Sequence, residues 1–262
     1  MQNPDHSPTT LYLPDLLSGT ASPVQWLVPE FLPQGTLVLL AGEPGTGKSF
    51  LAMTLGLAIA GHVPLLDYAP QQGAVLYCDQ ENSYPDTVQY LRWGWHGLGC
   101  PPLEPLAKAF HLAHFQLGHK HWATYLEQLL ERHQPRLLVI DTATSSFNIQ
   151  QENDNSEAAR IVVTLRSLQS LVNPPPSIVI LKHAKITKDG EGYTVRGAKD
   201  WLGTADGVLY LLRQRGRPRL DGLNNTRLVP DKVRAFGLRK PIAICPSYTP
   251  NHLGLALART PE

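Results

Sequence analysis

The sequence has few cysteines and no long hydrophobic run. Its 262 residues include three cysteines, Cys78, Cys100 and Cys245, and no two of them have the short spacing of a metal or redox motif. Such a sparse and odd set argues against a disulfide framework or a zinc site, and favours a reducing cytoplasm. No apolar run reaches transmembrane length. The polar first ten residues lack the basic start and apolar core of a signal peptide. We therefore expect a cytoplasmic protein with no membrane partner.

Positive charge is scarce overall but concentrated in one part of the chain. The net charge is only +1. Residues 182–240 hold 14 Lys and Arg against 6 Asp and Glu, a local balance of +8, so the rest of the chain carries −7. A basic C-terminal third on an acidic body is compatible with a polyanionic partner. A solvated basic surface would have the same composition, and the sequence leaves both interpretations open.

The hydrophobic pattern predicts an α/β fold. With 42% hydrophobic and 17% charged residues, the composition is that of a globular protein. Continuous apolar segments alternate with amphipathic ones, which indicates a mainly parallel twisted sheet with helices on both faces. The predicted strands are 36–41, 74–78, 110–117 (a weaker pattern), 137–140, 177–181 and 207–212. The predicted helices are 48–60, 84–95, 121–133 and 156–172.

The two ends of the chain differ from this alternating core. Residues 1–22 are polar and punctuated by proline, and we interpret them as an N-terminal arm. Short strands and turns follow residue 213, and they predict C-terminal antiparallel hairpins. Residues 23–262 are therefore expected to form one domain.

A glycine-rich turn follows the first predicted strand and precedes the first predicted helix. Its sequence, GEPGTGKS, satisfies the phosphate-loop pattern G-x-x-x-x-G-K-[ST]. Lys48 would reach the β- and γ-phosphates, and Ser49 would ligate Mg²⁺. The sequence therefore predicts ATP and Mg²⁺ as cofactors. The predicted nucleotide-binding residues are Gly42, Glu43, Pro44, Gly45, Thr46, Gly47, Lys48, Ser49 and Phe50.

Carboxylates follow two of the other predicted strands. The apolar strand 137–140 ends in Asp141, the Walker B arrangement that would complete the magnesium site. Thr142 follows it, so the Asp-Glu pair of many related ATPases is absent. Asp79 and Glu81 follow the strand 74–78, and either could orient the water needed for hydrolysis. We expect this edge to lie beside the loop after the first strand. A solvated acidic turn is the alternative.

The order of these motifs resembles the RecA-like P-loop ATPases. The segments that carry it are the lead-in WLVPEFLPQGTLVLLAGEPGTGKS, then YCDQEN, RLLVIDTAT and IVILKHAK. Within that class the chain is most similar to the RepA-type hexameric replicative helicases and to single-domain AAA-family ATPases. The resemblance spans roughly residues 11–245 and implies a RecA-like core.

Several site roles follow from the resemblance alone. Glu81 matches the catalytic glutamate better than Asp79 does, and His183 matches the polar sensor of the γ-phosphate. The stretch DKVRAFG is similar to a segment whose Lys232 and Arg234 would reach the neighbouring subunit's nucleotide. An exposed basic edge strand is the alternative for those two cations.

A polar basic segment follows the predicted sensor. In the RecA-like plan, loops such as residues 184–195 line a central channel and contact single-strand phosphates. Residues 145–155 would be a second channel loop, and the basic run 213–219 is either phosphate-binding or a hairpin tip. A mobile surface loop is the alternative for both predicted channel loops. The predicted nucleic-acid-binding residues are Lys185, Lys188, Tyr193 and Arg196. Arg196 lies in RGAKDW, where Ala198 replaces the usual Ser, which leaves its role open.

Three functions are compatible with the sequence. The leading prediction is an ATP-hydrolysing motor, a ring-forming hexameric DNA helicase or translocase on single-stranded DNA. Replication or recombination proteins would then be possible partners. A recombination mediator that forms open filaments is the second prediction, and closed rings would exclude it. A regulatory ATPase that acts on protein partners is the third, and it would need no DNA.

Overall fold

The computed structural model describes most of the chain, and the fold is described for those residues only. They are residues 13, 24–113, 121–147, 149, 154–186, 192–196, 199–214, 225–233, 237–249 and 254–260. The predicted N-terminal arm therefore lies outside the described residues, apart from Leu13.

Twelve strands and seven helices are named from the described residues. The strands are β1 (Trp26–Val28), β2 (Leu32–Pro33), β3 (Leu37–Gly42), β4 (Val75–Asp79), β5 (Phe110–Ala113), β6 (Leu137–Asp141), β7 (Ser177–Ile186), β8 (Tyr193–Val195), β9 (Gly207–Arg213), β10 (Thr226–Val233), β11 (Ile242–Tyr248) and β12 (Leu255–Thr260). The helices are α1 (Lys48–Gly61), α2 (Tyr84–Gly97), α3 (Leu103–Ala109), α4 (Trp122–His133), α5 (Ala143–Ser146), α6 (Asn155–Gln169) and α7 (Lys199–Thr204).

One large sheet organises the molecule. In the described part of the chain its order is β12-β11-β10-β9-β3-β7-β6-β4-β5, with β8 paired to β7. The strands from β9 to β5 in that order are parallel. The strands β10, β11 and β12 continue the sheet in antiparallel pairs. The predicted α/β class, with a mainly parallel sheet and C-terminal antiparallel hairpins, is confirmed.

Apolar cores lie on both faces of the sheet. Leu40 and Val38 contribute to one core, in which α1 is almost completely buried. Leu39 and Leu37, which alternate with them along β3, contribute to the other core together with α4 and α6. Strands covered on both faces need apolar residues at every position, which is why β3, β4 and β6 are continuous buried runs.

The C-terminal hairpins pack back onto α2. A Cβ atom added to Gly97, at the end of this helix, would lie 2.1 Å from the backbone oxygen of Leu255 in β12. Phe50 of α1 lies in the same contact region, with its ring centroid 6.0 Å from that of Tyr90 and 6.2 Å from that of Trp93. The antiparallel extension, formed by β10, β11 and β12, is therefore joined to α1 and α2 next to the phosphate loop.

The structure adds detail to the predicted elements in three places. The predicted strand 110–117 is described only to Ala113, and a short unpredicted helix, α3, precedes it. Strand β7 continues to Ile186 and pairs with β8, so the predicted polar loop 184–195 contains paired strands at both of its ends. Finally, β4 is not a neighbour of β3, because β7 and β6 lie between them. The acidic turn after β4 nevertheless lies within electrostatic range of Lys48, which follows the loop after β3.

Candidate active site

The loop between β3 and α1 has the backbone that a phosphate cradle requires. A side chain at Gly42 would place its Cβ only 2.6 Å from the backbone oxygen of Leu211. Gly47 has a φ of 93°, a left-handed conformation that glycine adopts readily. Because α1 begins at the next residue, its unpaired N–H groups and the positive end of its dipole lie at the loop.

The Lys48 ammonium lies inside this loop. Its Nζ donates to the backbone oxygens of Gly42 and Glu43, at 3.1 Å each, and the residue is only 6% exposed. Burial lowers the pKa of Lys48, and the charges of Asp141 and Glu81 oppose that change. Both carboxylates therefore lie within electrostatic range of the lysine. The structure brings together the three charged residues predicted from separate motifs.

Asp141 ends the buried strand β6 beside the start of α1. Its Oδ2 accepts hydrogen bonds from the Tyr77 hydroxyl at 2.8 Å and from Asn82 Nδ2 at 3.2 Å. The Ser49 side chain lies close enough to this carboxyl group to act on its pKa. Burial raises the pKa of Asp141 to about 6, although Ser49 and the hydrogen bond from Tyr77 act in the opposite direction. An ionised carboxylate is therefore costly here until a cation offsets its charge.

These oxygens fit a magnesium ion. Asp141 Oδ1 is buried and has no hydrogen-bond partner within the described residues. Mg²⁺ prefers oxygen ligands, and it commonly takes one or two from the protein and others from water and phosphates. Within the described residues, no group of three or more His, Cys, Asp or Glu side chains could hold a metal by itself. Ser49 and Asp141 would hold Mg²⁺, which when bound neutralises charge on the phosphates.

Asp79 shapes the acidic turn after β4. Its Oδ1 accepts from the backbone N–H groups of Glu81 and Asn82 and from Asn82 Nδ2, at 3.0–3.2 Å. Its Oδ2 accepts from the Thr87 hydroxyl of α2 at 2.6 Å. The side chain is fully buried. These bonds occupy both carboxylate oxygens, so Asp79 holds the turn and leaves the exposed position to Glu81.

Glu81 contacts the ends of two other strands. Its Oε2 accepts hydrogen bonds from Thr142 Oγ1 at 2.6 Å and Ser145 Oγ at 3.3 Å, both after β6. Its Oε1 lies 3.4 Å from His183 Nε2 on β7. The His183 hydrogen bond is the main reason that the pKa of Glu81 is lowered to about 2. An ionised, partly exposed carboxylate near Lys48 can accept a hydrogen bond from water and orient it.

The predicted nucleic-acid residues lie along β7 and β8, directly after the sensor position. Lys185 is exposed on β7, two residues beyond His183. Tyr193 is half-buried, and its ring centroid lies 6.2 Å from that of Tyr210. Arg196 is exposed, and its backbone N–H donates to the His183 oxygen at 2.7 Å. Lys188 lies outside the described residues, as do residues 148 and 150–153 of the predicted second loop 145–155.

The predicted intersubunit cations are described only in part. Lys232 lies on β10, and its Nζ donates to the backbone oxygens of Leu202 at 2.5 Å and Gly203 at 3.0 Å, near the end of α7. Arg234 lies outside the described residues. The roles of Lys232 and Arg234 stay predictions.

Phe50 is among the predicted nucleotide-binding residues. Its side chain is only 1% exposed and lies in an apolar cluster with Leu255.

Four residues that sequence reasoning did not assign support the site. Tyr77 and Asn82 position Asp141, while Thr142 and Ser145 position Glu81. The sequence feature that could have indicated Thr142 and Ser145 is the hydroxyl-rich run TATSS after Asp141. Arg213 also reaches the phosphate loop from the end of β9, since one of its Nη atoms donates to the Pro44 oxygen at 2.6 Å. That contact depends on the β3–β9 pairing, which a local pattern does not reveal.

The fold and this site define a RecA-like P-loop ATPase. A phosphate loop joins β3 to a buried helix, and a buried Asp ends a parallel strand beside it. The AAA domain family matches residues 5–184, and the chain belongs to this family. It is thus an ATP-binding enzyme of the ATP-hydrolysing class. The finer resemblance to RepA-type helicases stays a prediction.

Solved structures support the same fold. A KaiC-like protein from the hyperthermophilic archaeon Pyrococcus horikoshii OT3 superposes with a TM-score of 0.54 at 19% sequence identity. The match covers 88% of this chain and 93% of that one. No curated protein matches the sequence. Across the residues that the structure describes, no helix has both the length and the apolar character needed to cross a membrane.

Proposed function

We propose that this ATPase is a motor on single-stranded DNA, and that it works as a ring, most simply a hexamer. The observation that carries the proposal is the contact between Glu81 and His183, 3.4 Å apart. His183 precedes the β7–β8 hairpin, which bears Lys185 and Arg196. A change at the water-orienting carboxylate would therefore reach the basic hairpin through one continuous strand.

Charge on the hairpin supports a phosphate partner. Lys185 and Arg196 are both exposed. Lys185 lies two residues beyond His183 on β7, and Arg196 directly follows β8 with its backbone N–H bonded to the His183 oxygen. Phosphate contacts from such cations bind a strand without sequence preference and weaken as salt rises. The half-buried Tyr193 pairs with Ile186, one position beyond the Lys185–Thr194 pair. The combination suits a strand held mainly by its backbone.

The first test is steady-state ATP hydrolysis with and without single-stranded DNA, across protein concentration and salt. We expect stimulation by DNA that rises with protein concentration and falls with salt. Replacing Lys185 or Arg196 by Ala should weaken DNA binding and reduce the slope of log affinity against log salt by about one per cation. Lys108→Ala, which removes an exposed lysine paired with Glu104, is the matched control and should leave the slope unchanged.

The other outcomes are equally informative. Hydrolysis that does not respond to DNA would contradict the proposal and favour the regulatory ATPase that acts on proteins. DNA-stimulated hydrolysis with open filaments, seen by electron microscopy, would instead favour the recombination mediator. Closed rings with a strand-displacement activity would support the helicase.

A further inference from the structure

A second cavity lies at the end of the sheet opposite the phosphate loop. It has a volume of about 480 Å³, and its lining includes Trp26, Glu30, Tyr68, Arg239, Lys240 and Arg259. Trp26 and Glu30 precede β3, whose far end carries the phosphate loop. Tyr68 follows α1, which runs about 21 Å away from that loop at 1.5 Å per residue. The cavity is therefore separate from the candidate active site.

The antiparallel extension delivers positive charge to this cavity. Arg239 and Lys240 directly precede β11, which starts at the same end of the sheet as β3. Arg259 lies near the end of β12, which runs antiparallel to β11. Three cations thus line the cavity with one carboxylate, that of Glu30. This balance favours an anionic ligand.

Two aromatic side chains line the same cavity. Trp26 and Tyr68 are both half-buried. The ring of Tyr68 is held by Phe31, whose centroid is 5.6 Å away. Burial raises the pKa of Tyr68 and the charge of Arg259 opposes that rise, so this cation lies within electrostatic range of the phenol. A cationic group and a fixed aromatic ring therefore face the same space.

The combination matches a specific ligand chemistry. Guanidinium and ammonium groups bind phosphate oxygens. Aromatic side chains stack on nucleobases. The Glu30 carboxylate would accept a hydrogen bond from a sugar hydroxyl or an exocyclic amine. The volume lies within the range of small-ligand sites, about 300–1,000 Å³. These charges favour an anionic ligand over an apolar one.

We propose that this cavity binds a nucleoside phosphate at a site independent of the phosphate loop. The ligand would be either a free mononucleotide or one nucleotide of a single strand, because both present a phosphate and a base. The inference does not depend on the proposed motor activity.

The test uses the full chain with Lys48→Ala, which disables the phosphate loop. Calorimetric titrations are made with dAMP, with a 5′-phosphorylated deoxyadenosine hexamer and with pyrophosphate. We expect at least one of the two nucleotide ligands to bind with one site per chain. Binding of dAMP as tight as that of the hexamer indicates a free nucleotide, whereas binding of the hexamer alone indicates a strand.

Three variants in the same background assign the binding to the cavity. Arg259→Ala should weaken nucleotide and pyrophosphate binding about tenfold, the usual effect of losing one charge-assisted contact. Trp26→Ala should weaken nucleotide binding without changing pyrophosphate binding, because only the base is stacked. The control is Arg160→Ala, which removes an exposed arginine on α6 and should change neither.

The proposal is overturned if neither nucleotide ligand binds, or if binding is unaffected by both Arg259→Ala and Trp26→Ala. A second measurement covers the possibility that Lys48→Ala disturbs folding. In the wild-type protein, saturated with a non-hydrolysable ATP analogue, an 8-azido-adenosine monophosphate should crosslink to the peptides that contain Trp26 or Tyr68. Crosslinks found only at the phosphate loop would also overturn it. Neither measurement needs DNA-stimulated hydrolysis, so this result is separable from that of the proposed function.

Discussion

At the scale of single residues, hydrogen bonding gives the two carboxylates of one turn different roles. Asp79 accepts from three groups of its own turn and from Thr87, and it is fully buried. Glu81, two residues later, accepts from the Thr142 hydroxyl after β6, lies 3.4 Å from His183 of β7 and remains partly exposed. Both residues are acidic and lie in the same turn, so residue type does not distinguish their roles. Their hydrogen-bond partners do.

Glu81→Gln should abolish most turnover and keep nucleotide binding. The amide removes the negative charge that orients water, and losses of about 10²–10⁴ in rate are typical for such a group. Asp79→Ala should instead lower the stability by about 1–3 kcal/mol or more, because it leaves buried donors unpaired. Parallel kinetics and thermal melts separate the two effects. Normal turnover in Glu81→Gln would contradict its assignment.

Asp141 should make the protein less stable at neutral pH when no cation is bound. Its folded-state pKa of about 6 lies above the ordinary value of 3.8, so the native state binds the proton more tightly. The carboxylate then destabilises the fold progressively as the pH rises from about 4 to about 6, by an amount on the order of 3 kcal/mol.

Asp141→Asn is therefore expected to raise the Tm in a metal chelator at pH 8, by about 5–10 °C. The difference between the two proteins should disappear below about pH 4, where Asp141 is protonated in both states. Magnesium-dependent nucleotide binding should be lost in the same variant. Equal Tm values at pH 8 would show that the buried carboxylate carries no such cost.

At the scale of elements, close backbone contacts join the antiparallel extension to the helices. The end of α2 approaches β12 so closely that only a glycine fits at residue 97. The β7–β8 hairpin is joined to the site in a comparable way, through the bond from the Arg196 N–H to the His183 oxygen.

Gly97→Ala should lower stability by about 1–3 kcal/mol, the usual cost of overpacking. Its Cβ would lie 2.1 Å from the Leu255 oxygen, a backbone atom that cannot move alone. Gly203→Ala in α7 is the matched control, because nothing lies within 4 Å of its added Cβ. Alanine there should be neutral or stabilising by up to about 1 kcal/mol. Chemical denaturation of both variants checks this, and similar effects at both sites would contradict the packing argument.

At the scale of the whole molecule, Lys232 is the described residue through which a neighbouring subunit would complete the active site of the proposed ring. Lys232 contacts α7 of its own chain, at the backbone oxygens of Leu202 and Gly203. The same ammonium would have to leave these carbonyls to reach a neighbour. A local structural role and an intersubunit role therefore give different experimental results.

Lys232→Ala should lower ATP hydrolysis without blocking nucleotide binding if it acts across an interface. Mixing it with Lys48→Ala is the decisive experiment, since each variant supplies what the other lacks. We expect the mixture to hydrolyse ATP faster than the sum of the two separate proteins, increasingly so at higher protein concentration. Rates that merely add, together with a reduced Tm for Lys232→Ala, would assign the lysine to α7 alone.

The order and type of the core elements and the position of the phosphate loop could be predicted from the amino-acid sequence. These features are local: a buried parallel strand must be apolar throughout, and a phosphate loop needs glycines at set positions. Asp141 was identifiable for the same reason, because it ends an apolar strand. The family resemblance added Glu81 and His183, and the structure places those two side chains in contact.

Which residues meet across the sheet depends on the three-dimensional fold. The order β3-β7-β6-β4 separates the acidic turn from the phosphate loop by two strands, yet Glu81 and Lys48 still interact electrostatically. The contacts of Tyr77 with Asp141 and of Arg213 with Pro44 each join segments far apart in sequence. The cavity lined by Trp26 and Arg259 brings together opposite ends of the chain. Local periodicity carries no information about such pairings, because strand order is set by how the whole chain buries its apolar faces.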